Sequence, residues 1–331
     1  MKALRTCVAV GLVSIAGLSF AEKKKQEAHN LIDRARHLSD IRTNGSLPFR
    51  MKIAFKVIDG HLNENDGTYV ETWASPEKWR REMISGDFRR VVVANGIKLW
   101  TSETSPLAPP GTADLGLRMD LSSVSSESWI DKIADRKINS AAVRCLESNR
   151  DLTGHNTALC FDRATGLLSA HIAFVASDST VMTCVYSDYE KLGDRSFPRT
   201  MQRSENGNPV FESTLVELNT ETSFDPALFA PLPGAQESAN CQGAIRHDAP
   251  KAVYKPDPIS PRRDFDPRNT VLLWLLIGAD GIPRGLKVVR SFDPAFGDAA
   301  IKAVQNWRFQ PGTCDGQPAA TEATVEVVFR R

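Results

Sequence analysis

Six histidines could serve as bases or ligands: His29, His37, His61, His155, His171 and His247. They are scattered along the chain. His29 and His37 stand on one predicted helix without a matching set of carboxylates, so they point to no metal. His171 falls in an apolar run, where a hydrogen-bonded sheet histidine is the simpler reading. The chain has no His-Glu-x-x-His, no Gly-x-Ser-x-Gly and no phosphate-cradling glycine loop. Glu64 and Asp66 form an acidic pair, which a solvated loop explains. No metal, cofactor or catalytic set is predicted. The reading is non-enzymatic, with a secreted hydrolase built from distant residues kept as an alternative.

Cysteines and tryptophans carry more. None of the cysteines forms Cys-x-x-Cys, so neither a zinc knuckle nor a thioredoxin-type site is indicated. Cys145 and Cys160 lie in two short strand-like runs joined by the polar segment 148–156, which predicts a bonded hairpin pair. Cys241 precedes the last predicted unit and Cys314 lies in a turn within it. These two are expected to bond, leaving Cys184 as the odd thiol. Trp73, Trp79 and Trp100 stand on three strands of the first predicted meander. They could line a concave sheet and hold an acyl chain, or they could be core residues of the sheet wall.

Residues 1–21 read as a targeting segment. Lys2 and Arg5 begin it, Cys7 to Phe20 is largely apolar, and Ser19-Phe20-Ala21 fits a small-x-small cleavage site. The apolar run is short for a membrane span, which needs about 20 residues. The expected location is the periplasm, or the inner membrane if the segment stays uncleaved. Export favours disulfides. Hydrophobic content of 41% and charged content of 24% are ordinary for a globular chain. A net charge of +1 gives no field that would recruit nucleic acid.

The elements that must position these residues follow from periodicity. Glu22 to Asp40 has apolar residues at helical spacing. From Phe49 the period becomes two, and short strands are expected at 49–57, 68–75, 79–85, 88–94 and 97–101. Asn95-Gly96 is a strong hairpin turn between the last two. Residues 104–114 read as a loop and 126–134 as a helix. Strands resume at 142–147, 158–162, 167–175, 180–188 and 211–218, with a turn at Asp162 to Gly166. Residues 231–254 read as a connection rich in turn-formers, and 254–267 as an extended proline-rich lead-in.

The last 60 or so residues form a unit large enough for a small domain. Thr270 to Ile277 is an apolar strand, Asp280-Gly281 a turn, and Leu286 to Ser291 a second strand. Asp293 or Asp298 caps a helix carrying Ala300, Ile301, Val304 and Trp307, and Thr321 to Phe329 alternates as a final strand. Its outer set is Glu322, Thr324 and Glu326, and its inner set Ala323, Val325, Val327 and Phe329.

GADGIPRGLKVVRS, FGDAAIKAVQNWRFQPGTCDG and VEVVF resemble the C-terminal domain of TonB-family energy transducers. Ile277, Asp280-Gly281, Ser291, Asp298, Ala299-Ala300, Trp307-Arg308-Phe309 and Pro311 carry the resemblance. It implies a β-β-α-β unit whose last strand receives a short extended segment of an outer-membrane receptor. Glu322 and Glu326 would then flank a docking edge, or serve only as charges that discourage edge aggregation. A second resemblance rests on GTYVETWASPEKWR and on YSDYEKLGDRSFPRTMQRSENGNPVFESTLVELN with DPALF. These look like half-barrel domains of the LolA type, which implies a lipoprotein or another lipid-bearing client. The expected architecture is α+β. A signal peptide (1–21) precedes a curved antiparallel half-barrel with helices (22–233). A linker and lead-in (234–258) then joins it to the TonB-like unit (259–331).

Overall fold

The structure, a computed structural model, describes residues 20–58, 65–104, 130–148, 157–175, 180–240, 247–262, 270–291 and 293–329. Residues 1–19 of the targeting segment and 105–114 of the loop lie outside these residues; Phe20 and Ala21 begin a helix. The described chain opens with helix α1 (Phe20–Ser39). Ala28, Ile32 and Ala35 recur at helical spacing and are buried. β1 (Phe49–Val57) alternates buried residues with exposed or half-buried ones, as one-sided packing of a strand requires.

Four strands continue the first meander: β2 (Asn65–Ser75), β3 (Lys78–Ser85), β4 (Phe88–Asn95) and β5 (Lys98–Glu103). The second meander runs through β6 (Lys132–Ile138), β7 (Ala141–Ser148), β8 (Thr157–Asp162), β9 (Leu168–Val175), β10 (Thr180–Leu192), β11 (Arg195–Glu205) and β12 (Asn208–Thr220). β1 pairs antiparallel with β12 and so joins the two meanders. With β13 (Gln236–Ala239) beside β5, this makes a thirteen-stranded antiparallel sheet ordered β13-β5-β4-β3-β2-β1-β12-β11-β10-β9-β8-β7-β6. The described residues are mostly β, at 59% strand, with a large curved sheet and two α-helices.

Several sequence expectations hold. Asn95-Gly96 lies in the β4–β5 hairpin, with Gly96 at φ 64°. Asp162 organises its turn by accepting from the backbone N–H groups of Ala164 and Thr165 at 3.0 and 2.7 Å. These bonds, the Thr165 amide first, hold its carboxyl below the usual range. Cys145 and Cys160 are bonded, and they sit directly opposite each other on β7 and β8 with Cα atoms 4.0 Å apart.

Other expectations are corrected. Lys132 to Ala134, read as the end of a helix, belong to β6; residues 126–129 lie outside the described chain. Pairing of Ile133 with Leu146 and Ala134 with Cys145 overrides local helical spacing. β11 escaped notice because Pro198 and four charged residues interrupt its apolar pattern. Residues 236–239, placed in a linker, extend the large sheet as β13.

The C-terminal region adds β14 (His247–Asp248), β15 (Lys251–Tyr254), β16 (Thr270–Ile277), β17 (Pro283–Arg290), helix α2 (Pro294–Gln305), β18 (Arg308–Gln310), β19 (Gly312–Cys314), β20 (Gln317–Ala319) and β21 (Thr321–Val328). The short strands β14, β15, β18, β19 and β20 were not foreseen, since runs of two to four residues carry no periodicity. Asp293, not Asp298, caps α2, accepting from Ala295 N–H at 2.9 Å ahead of Pro294. Gly281 turns the chain between β16 and β17 at φ 75°. A side chain there would meet the Phe309 carbonyl oxygen at 1.9 Å, so only glycine fits. The core of this region joins Val271, Leu273, Leu275 and Ile277 of β16 to Phe296, Ala300 and Val304 of α2, with Trp307, Phe309, Val327 and Phe329. A separate core gathers residues of α1 with one face of the large sheet.

Candidate functional site

The sheet β17-β16-β21 places β21 at an edge, where β16 is its only strand partner among the described residues. Ala323, Val325, Val327 and Phe329 turn toward α2 and its core, as their alternation requires. The outer set divides. Glu322 accepts from Thr101 Oγ1 at 3.0 Å and from Arg90 at 3.4 Å, so it faces the large sheet. Nearby, Ala239 N–H donates to the Ala320 carbonyl at 2.8 Å, and Lys287 pairs with Glu103. Thr324, Glu326 and Val328 stay exposed. Only the second half of β21 therefore offers open polar surface, and Glu322 is already engaged.

The three tryptophans separate. Trp73 and Trp79 are direct cross-strand partners and are buried with α1 on one face of the sheet. Trp100 lies on the opposite face, against Val91, Val93 and Phe229, and donates to Glu237 at 3.1 Å. The Trp73 ring stacks on Phe49, with centroids 5.6 Å apart.

Beside Trp73 and Trp79 sits a group that sequence reading missed. Glu71 has no exposed surface. Arg42 donates to both its oxygens, at 3.0 Å from Nε and 2.5 Å from Nη2. Arg81 donates from the opposite residue of β3 at 3.0 Å, and the Tyr69 hydroxyl at 3.0 Å. Burial alone would raise the Glu71 carboxyl, but the Arg42 and Arg81 charges outweigh it and bring it down to about 2. Burial and the Glu71 charge push the Tyr69 hydroxyl up, so it stays a donor. The Arg81 guanidinium lies 4.0 Å over the Trp79 ring. The legible signal was parity: in Tyr69-x-Glu71-x-Trp73 a carboxylate takes an inward position.

Cys314 is disulfide-bonded, and its expected partner Cys241 lies outside the described residues. Cys184 is a buried thiol on the α1 face. Among the described residues no cluster of three metal-ligating side chains occurs, and no helix is long and apolar enough to cross a membrane.

A putative outer-membrane lipoprotein-sorting protein domain from Vibrio parahaemolyticus is similar at 12% identity and TM-score 0.41, over 62% of this chain and 96% of that one. A LolA superfamily protein from Nitrosomonas europaea is similar at 11% identity and TM-score 0.38, over 61% and 97%. The MucA/MucB complex of Pseudomonas aeruginosa gives 14% identity and TM-score 0.31, over 90% and 94%. No curated protein matches. Residues 269–330 match the family model described as Gram-negative bacterial TonB protein C-terminal.

Proposed function

We propose that this chain is a non-enzymatic binding module of the bacterial envelope, exported to the periplasm, that docks an extended partner segment by strand addition at β21. The observation that carries this is the edge position of β21 in a region matching the TonB C-terminal family model. An edge strand offers unpaired backbone groups, and an added strand gains affinity from them. The partner class is an envelope protein, such as an outer-membrane receptor segment.

The test is proline substitution in the full chain. Residues of alternate parity point their amides to opposite sides of the strand. Val328→Pro and Val325→Pro therefore cover both orientations. One of the two, folded by circular dichroism, is expected to lose capture of its envelope partner. Unchanged capture by both folded variants would exclude docking here.

A second reading is carriage of an apolar client on the α1 face of the large sheet. It is favoured by the pairing of Trp73 with Trp79 on that face, beside Phe49 and Met51.

A further inference from the structure

Trp73 is 1% exposed and Trp79 4%, and the side chain of Arg81 is 13% exposed. The two indole Nε1 atoms and Arg81 Nη2 are buried and have no acceptor among the described residues. All three belong to one patch. Trp73 faces Trp79 across the strands, Glu71 faces Arg81, and the Arg81 head covers the Trp79 ring. Cross-strand neighbours on one face lie about 5 Å apart at their Cβ atoms.

A buried donor without an acceptor costs about 1–3 kcal/mol, and native proteins carry few of them. Three in one patch call for a common acceptor. The chain does not supply it from Glu71, whose oxygens are occupied by Arg42, Arg81 and Tyr69. Charge points the same way. Arg81 shares its carboxylate partner, Glu71, with Arg42, which also lies near Asp40. Water could accept from the donors but brings no charge. The surroundings are apolar: Phe49, Met51 and Ala94 are buried in the same cluster, with Met83 and Leu99 packed against it.

We infer that Trp73 Nε1, Trp79 Nε1 and Arg81 Nη2 form a receptor for the anionic oxygen head group of an amphiphile whose apolar chain lies along the same sheet face. This rests on the second reading above and names the head group of its client. A carboxylate and a phosphate monoester share the required chemistry, and the two are separable by experiment.

The test is calorimetric titration of the full chain, below micellar concentration, with dodecanoate, dodecyl phosphate and dodecanol. At least one anion is expected to bind about tenfold or more tighter than the alcohol, the scale of one charge-assisted hydrogen bond. The tighter of the two identifies the source. The Trp73→Phe/Trp79→Phe variant keeps the rings and removes both N–H groups. It should erase most of that preference, bringing anion affinity close to that of dodecanol measured on the same variant. Equal affinity for alcohol and anions overturns the head-group site while sparing the apolar carrier. Failure of all three to bind overturns the carrier reading itself. If the double variant does not fold, the anion-to-alcohol ratio in the unaltered protein decides alone.

Discussion

Glu71 stays ionised inside an apolar sheet face because two guanidinium groups reach it. Its carboxyl is held at about 2 when folded, against an ordinary 4.5. As pH falls, the unfolded chain takes up the proton first. The stabilisation is therefore complete above about 4.5 and is lost progressively down to about 2. Glu71→Gln leaves two guanidinium groups without their counter-charge. The expected loss at neutral pH is about 3 kcal/mol, the range for breaking a buried pair. Urea unfolding across pH checks both parts: the variant should be less stable, and its stability should fall less steeply through the acid window. Equal stability would mean that the charge is solvated in solution.

The disulfide belongs to the scale of elements. Cys145 and Cys160 join β7 to β8 within a small satellite core with Val143 and Ala170. Closing a 15-residue loop contributes about 3 kcal/mol in the chain-entropy model. Cys145→Ala with Cys160→Ala should lower the unfolding free energy by about that amount, read by urea titration. No change would show that the paired strands alone fix the hairpin. This bond was legible because each cysteine lies in its own short apolar run. Asn95-Gly96 and the Asp162 turn were legible for a similar reason, since local chemistry decides them. β6 was not. Its hairpin turns on Asn139-Ser140, both at positive φ, without the glycine that usually marks such a turn. β13 was not legible either: its four residues become a strand only because β5 presents a free edge. At the candidate site, residue type alone singled out Trp73 and Trp79. Arg42 and Arg81 could not be found that way, since the contact that makes them matter joins a loop after α1 to two strands.

At the scale of the molecule, the large sheet and the C-terminal sheet have separate cores and meet through polar contacts. Arg90–Glu322 and Lys287–Glu103 are partly buried pairs, whose desolvation offsets much of their attraction. They orient the two regions more than they stabilise them. Their position has a functional consequence: the start of β21 is turned toward β5 and β13, and its end is left open. Under the proposed docking, the added segment enters along Thr324 to Val328. The most direct measurement places a photo-crosslinking side chain at Val328 in the full chain, within a bacterial envelope, with Lys302 on α2 as the control position. The account predicts a discrete protein adduct from Val328 and none from Lys302. No adduct at Val328, or equal adducts from both positions, would contradict docking at β21.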